Sequence, residues 1–409
     1  MDRHNIPLLF FPNGASWTTA TLWACVLFLA LGWIQFTLRS SKSVSKENQA
    51  DSNEKKKKSP KKREICTCPF SNQATFVIET AEDSMAPTPM DRFKEWTDHL
   101  GLRWLAAGTS GQDQPGFLRA ALKRFRHHQH FLLEDKYFEQ ELSLKAKAYD
   151  KAHAEHFVME EDSIAAQQET LELFLAYLPK RYPEKYVYDK ESHSIKVALS
   201  QNPPKQETYR IDDWKERPLE LCGRIVQEDL VLMRETTDSF RMAAAAVVFS
   251  FNDLPTKLGT DTNFIHAPVP GFTEHLSKVL YITFRNIKVE KPLWRNNWII
   301  CPSGRLDEPS DSLTHYQELS DLQKTPSARD RYVKVEYQTI RRLPSTGYLL
   351  FTVRTFTDPV WALEQVPPKA AQTLAESIRG MTSLATLEYR GIESDEARSA
   401  ILEYLDSIG

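Results

Sequence analysis

The feature that most restricts the fold is a pair of long alternating runs, "RYVKVEYQTIRRLP" and "GYLLFTVRTFTDP", joined by the turn residues "PSTG" at 344–347. β-Branched and aromatic residues at two-residue spacing on either side of a Pro/Gly turn specify an antiparallel hairpin. Alternation assigns the faces: Leu349, Phe351, Val353 and Thr355 share one, and Leu350, Thr352, Arg354 and Phe356 the other. On the first strand Glu336 and Gln338 share a face, with Tyr337 opposite. An arginine, Arg354, on a face that also carries aromatics suggests a lined cavity or a partly covered surface. Glu336 and Gln338 either line a pocket or are simply solvated.

Shorter β-rich runs precede the hairpin: "YVYD", "SIKVAL", "DLVLMRE" (229–235), "MAAAAVVFSF" (242–251) and "WIICP". Residues 113–180 read instead as helical, because "FLRAALKRFRHHQHFLL" and "AAQQETLELFLAYLPKRY" repeat apolar residues every three or four positions. After Pro368 the chain returns to helix in "AAQTLAESIRGM" and "SDEARSAILEYLDSI". Helices, then a mainly antiparallel sheet, then helices make an α+β domain. The sequence contains no internal repeat, no GxGxxG and no GxxxxGK[ST].

The N-terminus has a different character. Residues 20–38, "ATLWACVLFLALGWIQFTL", run without a charge, and a helix of that length rises about 28 Å, close to the thickness of a bilayer's hydrocarbon core. A cleaved signal peptide would typically have an apolar stretch of about 7 to 15 residues and a small-residue cleavage site. The expected organisation is a short segment 1–19, a transmembrane helix 20–38, a basic disordered tether 39–69 and a domain 70–409. Residues 39–63 carry ten Lys/Arg against Glu47, Asp51 and Glu54, which sets the large domain in the cytosol. The same basic run suits anionic lipid headgroups. The expected address is an endomembrane, the endoplasmic reticulum or another, with a single pass.

Beyond residue 63 the chain holds 41 Lys/Arg against 51 Asp/Glu, an acidic balance that disfavours nucleic acid as a partner. Hydrophobic residues at 41% suffice for a substantial core. Five scattered cysteines (Cys25, Cys66, Cys68, Cys222, Cys301) make neither a disulfide framework nor a paired zinc motif.

Four clusters invite a chemical reading. "RFRHHQH" holds His127, His128 and His130, but adjacent histidines on a helix point about 100° apart, so a basic solvated face is the simpler reading. "HAEH" sets His153 and His156 at workable spacing and lacks a third ligand. In "FIHAPVPGF" (264–272), Pro268 and Pro270 fix φ around His266 and Gly271 permits a close backbone approach. A stiff loop of this kind suits a metal or haem ligand, and suits equally a histidine bonded to backbone. "PLWRNNWIICP" surrounds Arg295 with Trp294 and Trp298, which fits a flat anionic cofactor or core packing with a surface arginine. No nucleophile elbow, catalytic triad or paired-carboxylate spacing is present.

Taken in order, "QEDLVLM", "AAAAVVFSFNDLPTKLGTDTNFIHAPVPGF", "LWRNNWII" and "VEYQTIRRLPSTGYLLFTVRTFTDP" resemble the haem-dependent oxidative N-demethylase-like family, with "LELFLAYLPKRYP" similar to its helical region. The similarity runs over roughly residues 90–405. It implies a PAS-like antiparallel sheet with N- and C-terminal helical additions and a bound haem, haem b. The implied chemistry is O2-dependent removal of a methyl group from a small secondary amine, releasing formaldehyde, with electrons from a separate reductase. No flavin, nicotinamide or iron–sulfur motif occurs in this chain.

Carried over by position, the resemblance makes His266 the axial iron ligand and Arg295 a partner of a haem propionate. It adds Trp294, Trp298 and Arg354 as cofactor-binding residues, and Glu336, Tyr337 and Gln338 as pocket candidates. At Tyr337 the sequence departs from the family's arginine, which leaves two readings. One is an oxidative demethylase; the other is a non-catalytic haem sensor or carrier.

Overall fold

The computed structural model describes residues 65–67, 74–77, 101–102, 104–105, 122–125, 130–201, 203–250, 253–306 and 326–409. The apolar run 20–38 and most of the tether lie outside them. Among the described residues no helix is long and apolar enough to cross a membrane. The end of the stretch read as tether contributes β1 (Ile65–Thr67), paired antiparallel with β2 (Ala74–Val77).

The domain mixes helices with antiparallel sheet. Its large sheet contains seven strands among the described residues: β3 (Lys123–Arg124), β4 (Phe157–Met159), β8 (Asp229–Glu235), β9 (Phe240–Ala246), β10 (Leu293–Cys301), β11 (Tyr332–Arg342) and β12 (Leu349–Pro359). Their spatial order is β3-β10-β11-β12-β8-β9-β4. A smaller sheet follows the order β5-β6-β7, from Tyr186–Asp189, Ser194–Gln201 and Pro204–Arg210.

The hairpin is the frame of the large sheet. β11 and β12 pair without slippage from Tyr332↔Pro359 to Arg342↔Leu349. Gly347, at φ 74°, turns the chain, and its N–H donates to the Leu343 carbonyl at 3.0 Å. The helix Ile164–Arg181 pins the turn from outside, where the Glu169 carboxylate accepts the N–H groups of Ser345 and Thr346.

β8 lies between β12 and β9, covered on both faces, which explains why "DLVLM" is apolar almost throughout rather than alternating. Its outer neighbour β9 ends in a run of alanines. Helix α3 (Pro218–Ile225) comes close there, with Gly223 against the Ala246 methyl and the Tyr149 ring.

One face of the sheet carries α1 (Phe138–His156), α2 (Ile164–Arg181) and α3 around Leu230, Leu232, Ala244, Ala246 and Leu350. At its other end, α7 (Lys369–Arg379) and α9 (Asp395–Ile408) pack on Trp298, Ile300, Val333 and Val335, with α8 (Leu384–Tyr389) beside them. The other face is covered by the excursion between β9 and β10. This contains α4 (Leu254–Lys257), α5 (Thr262–Ile265), a π-helical turn at Phe272–Leu276 and α6 (Ser277–Arg285). Leu254, Phe272, Leu280 and Phe284 from the excursion meet Val231, Met233, Ile340 and Leu349 of the sheet.

The periodicity of "FLRAALKRFRHHQHFLL" predicts a helix, yet Lys123 and Arg124 form strand β3, paired with Trp294 and Leu293 of β10. Leu122 enters the core beneath the excursion and Phe125 the core beneath the long helices. Residues three apart that serve opposite faces belong to a strand, and pairing covers part of the β10 edge.

Candidate functional site

His266 closes a short helix. The Asp261 carboxylate caps α5 by accepting the Phe264 N–H at 2.9 Å, and the helix ends at His266, φ −101° and ψ 13°. The Thr262 carbonyl, one turn earlier, accepts both the His266 backbone N–H at 3.1 Å and the ring Nδ1–H at 2.8 Å. A carbonyl can only accept, so Nδ1 carries the proton and Nε2 presents its lone pair. Burial depresses the basicity of the ring, the Thr262 bond works against that, and the nearby Arg295 guanidinium lowers it further. The imidazole is therefore held neutral. Phe272 lies flat against it, centroids 4.4 Å apart and planes 5° from parallel.

Opposite, on the sheet face beneath the excursion, the β10–β11 register pairs Arg295 with Gln338 and Asn297 with Glu336. All four side chains are half-buried, so the sheet is not closed over at this block. Glu336 accepts from Asn297 at 3.1 Å and from Gln338 at 2.8 Å. From the end of α8, Arg390 donates to the Asn297 side-chain oxygen at 2.6 Å.

Arg295 differs from its neighbours. Among the described residues its side chain makes no hydrogen bond or ion pair, and its Nε is buried and unsatisfied. Burial lowers its pKa against the opposing pull of Tyr389 and Glu336. Arg390 is likewise pushed down by burial, to about 10. Two guanidiniums therefore lie in the field of one carboxylate that neither of them bonds, and a partly buried cation with no bonded partner is an unmet demand for an anion.

The remaining sequence candidates lie on the opposite face. Trp294 and Trp298 alternate with Arg295 and Asn297, and Tyr337 pairs across the ladder with Asn296. Trp294 and Tyr337 join Trp104, Leu133 and Phe356 in an aromatic cluster, while Trp298 enters the core of the C-terminal helices. Arg354 is fully enclosed and committed to carboxylates, donating to Asp135 at 2.8 Å and to Glu141 at 2.8 Å. Gln227 bridges the same two carboxylates. Around Arg354 the space is thus filled by an ion-pair network, on the sheet face away from His266. The structure brings together His266, Arg295, Glu336 and Gln338, and separates them from Tyr337, Trp294, Trp298 and Arg354.

His153 and His156 follow a break in α1 at Ala152 and turn to different partners, the Glu220 carboxylate at 2.9 Å and the Val247 carbonyl at 3.0 Å. Among the described residues no three His, Cys, Asp or Glu side chains are grouped to hold a metal. His127 and His128 lie outside the described residues. Sequence reasoning missed Phe272, Tyr389 and Arg390. The last two arrive from about ninety positions away along the chain, by docking of the C-terminal helices. The Thr262 contact had a local signal, since a histidine at the end of a helical turn reaches the carbonyl four residues back.

A neutral imidazole with a free Nε2 and an unpaired guanidinium, both serving one face of an antiparallel sheet, define an α+β protein with a candidate site for an anionic cofactor that takes a nitrogen ligand. The family model for haem-dependent oxidative N-demethylase, alpha subunit-like, matches residues 121–399, and the chain belongs to that family. Haem dependence and an oxidoreductase of the N-demethylase type are what this membership carries.

Proposed function

We propose that the protein is a membrane-anchored haem oxidoreductase, in which His266 of the β9–β10 excursion would hold the iron and Arg295 of the sheet a carboxylate of the cofactor. The observation that carries this reading is the pairing of free valences: Nε2 of His266 has no partner among the described residues, and neither has the Arg295 guanidinium. A haem b has the matching groups, an iron that takes a neutral imidazole and carboxylates that take a guanidinium. The sequence contains no CxxCH for covalent attachment, which favours the b type. The PAS-like reading is supported by the order β9-β8-β12-β11-β10, in which the first hairpin of the five main strands is inserted beside the last strand, and by the helical excursion between the second and third of them.

Bound here, the haem would supply O2 activation and one-electron chemistry. The chain's own residues do the rest. The Thr262 carbonyl keeps the Nδ1 proton in place, so the ligand stays a neutral imidazole. Arg295 binds and orients a carboxylate. Glu336, held by Asn297 and Gln338, offers a fixed acceptor for a small amine's N–H. The substrate class, a small methylated amine, and a separate reductase are part of this proposal. So is anchoring through residues 20–38 to the endoplasmic reticulum or another endomembrane, the domain facing the cytosol; digestion of the domain by protease added to sealed microsomes tests that orientation.

The decisive experiment is an absorption spectrum of the full-length chain, expressed with full iron supply, beside His266→Ala. A Soret band in the wild type that the variant loses or shifts is expected. An unchanged variant spectrum overturns the ligand assignment, and a wild type without a Soret band overturns the haem reading. Formaldehyde release from methylated amines, with an added reductase, separates turnover from a carrier role.

A further inference from the structure

We propose that Phe272 is a positioning residue that fixes the plane of the His266 ring, so that the ligand meets its metal in a single orientation. This rests on the reading of His266 as an axial ligand. The Thr262 bond restrains one ring nitrogen, and a single hydrogen bond still tolerates a range of ring tilt about the Cβ–Cγ bond. Phe272 removes that freedom by covering one ring face at 4.4 Å and 5°.

The platform is itself held. Phe272 is buried, 4% exposed, among Leu254, Leu280 and Phe284. It begins a π-helical turn directly after Gly271, whose left-handed φ of 70° redirects the chain back beneath the imidazole. π-Turns are uncommon and recur at functional positions. A side chain at Gly271 would adopt this backbone only with strain and would press on the His275 ring at 3.0 Å. The stiffness read from "APVPG" thus acts at two levels: the prolines shape the loop, and the glycine delivers the aromatic ring.

The test uses resonance Raman spectroscopy of the reduced, haem-loaded full-length protein, reading the iron–histidine stretch, together with the haem midpoint potential. The wild type should give one narrow iron–histidine band; two or more bands from differently oriented rings would overturn the proposal without any variant. Phe272→Leu should retain haem at wild-type stoichiometry while broadening or shifting that band and moving the potential, and Phe272→Tyr should restore both. A folded Phe272→Leu protein with an unchanged band and potential would show that Phe272 only packs the core, and would overturn the proposal. A haem-loaded wild type with no iron–histidine band at all would instead sink the ligand assignment beneath it.

Discussion

Gln338, not Tyr337, stands directly across the β10–β11 ladder from Arg295. One residue of strand parity therefore moves the position where the family resemblance sets an arginine to the face away from His266. Tyr337 is almost fully buried there, its ring 4.3 Å from Trp104 and its hydroxyl donating to the His130 carbonyl at 3.0 Å. The departure from the family pattern is a packing event in an aromatic cluster, and it leaves the Arg295 block intact.

Tyr337→Arg should accordingly fail to raise haem affinity and should destabilise the domain. A guanidinium in this cluster would be buried among aromatic rings, directly across the ladder from the Arg354 cation, which costs about 2–4 kcal/mol. Tyr337→Phe removes one hydrogen bond and should cost about 1 kcal/mol. Denaturant melts of the three proteins check the order, and haem titration checks the affinity; tighter haem binding by the arginine variant would contradict the face assignment.

Arg354→Met should be among the most damaging single substitutions. It leaves the Asp135 and Glu141 carboxylates buried without their cation, a loss of about 3–5 kcal/mol. Because Arg354 is on the far face, the protein that does fold should keep a wild-type Soret maximum. Urea unfolding read beside the absorption spectrum separates the two effects.

Glu228 makes stability fall as pH rises. Its carboxylate is enclosed beside Arg354 and Lys145 and accepts the Leu133 N–H at 2.7 Å, yet burial outweighs these partners and pushes its pKa up to about 7 from 4.5. The folded state thus binds this proton more tightly than the unfolded state. As pH climbs from about 4.5, the unfolded chain releases the proton first, and the stability the proton supports drains away until about pH 7, by on the order of 3 kcal/mol. Glu228→Gln, which can still accept from Leu133, should flatten the stability profile across that window. A slope equal to the wild type's would assign the effect elsewhere.

The parity of the hairpin was fully legible, and with it the separation of Glu336 and Gln338 from Tyr337, because alternation is a local property of a strand. β8, α2, α7 and α9 were legible for the same kind of reason. The partners of Arg354 were not legible, because Asp135 and Glu141 reach it from the segment before α1 and from α1, more than two hundred positions away. β3 was obscured because Leu122 and Phe125 have helical spacing but serve two different cores. Arg295 was recognisable as a residue type suited to an anion. That its side chain finds no bonded partner among the described residues is visible only once the strands, α8 and the excursion are assembled around it.

That isolation gives Arg295 an opposed pair of effects. A half-buried guanidinium with no bonded partner among the described residues costs the apo protein some desolvation energy that no ion pair returns, so Arg295→Met should make the apo domain more stable by about 1 kcal/mol. The same change removes the cation proposed to hold a haem carboxylate, so the haem-loaded protein should release its cofactor faster to a scavenging apo-globin. Thermal melts of the apo forms and haem-transfer rates of the loaded forms read the two sides independently. A residue kept for folding would lose stability on substitution and leave the transfer rate alone, whereas a residue kept for the anion trades the first against the second.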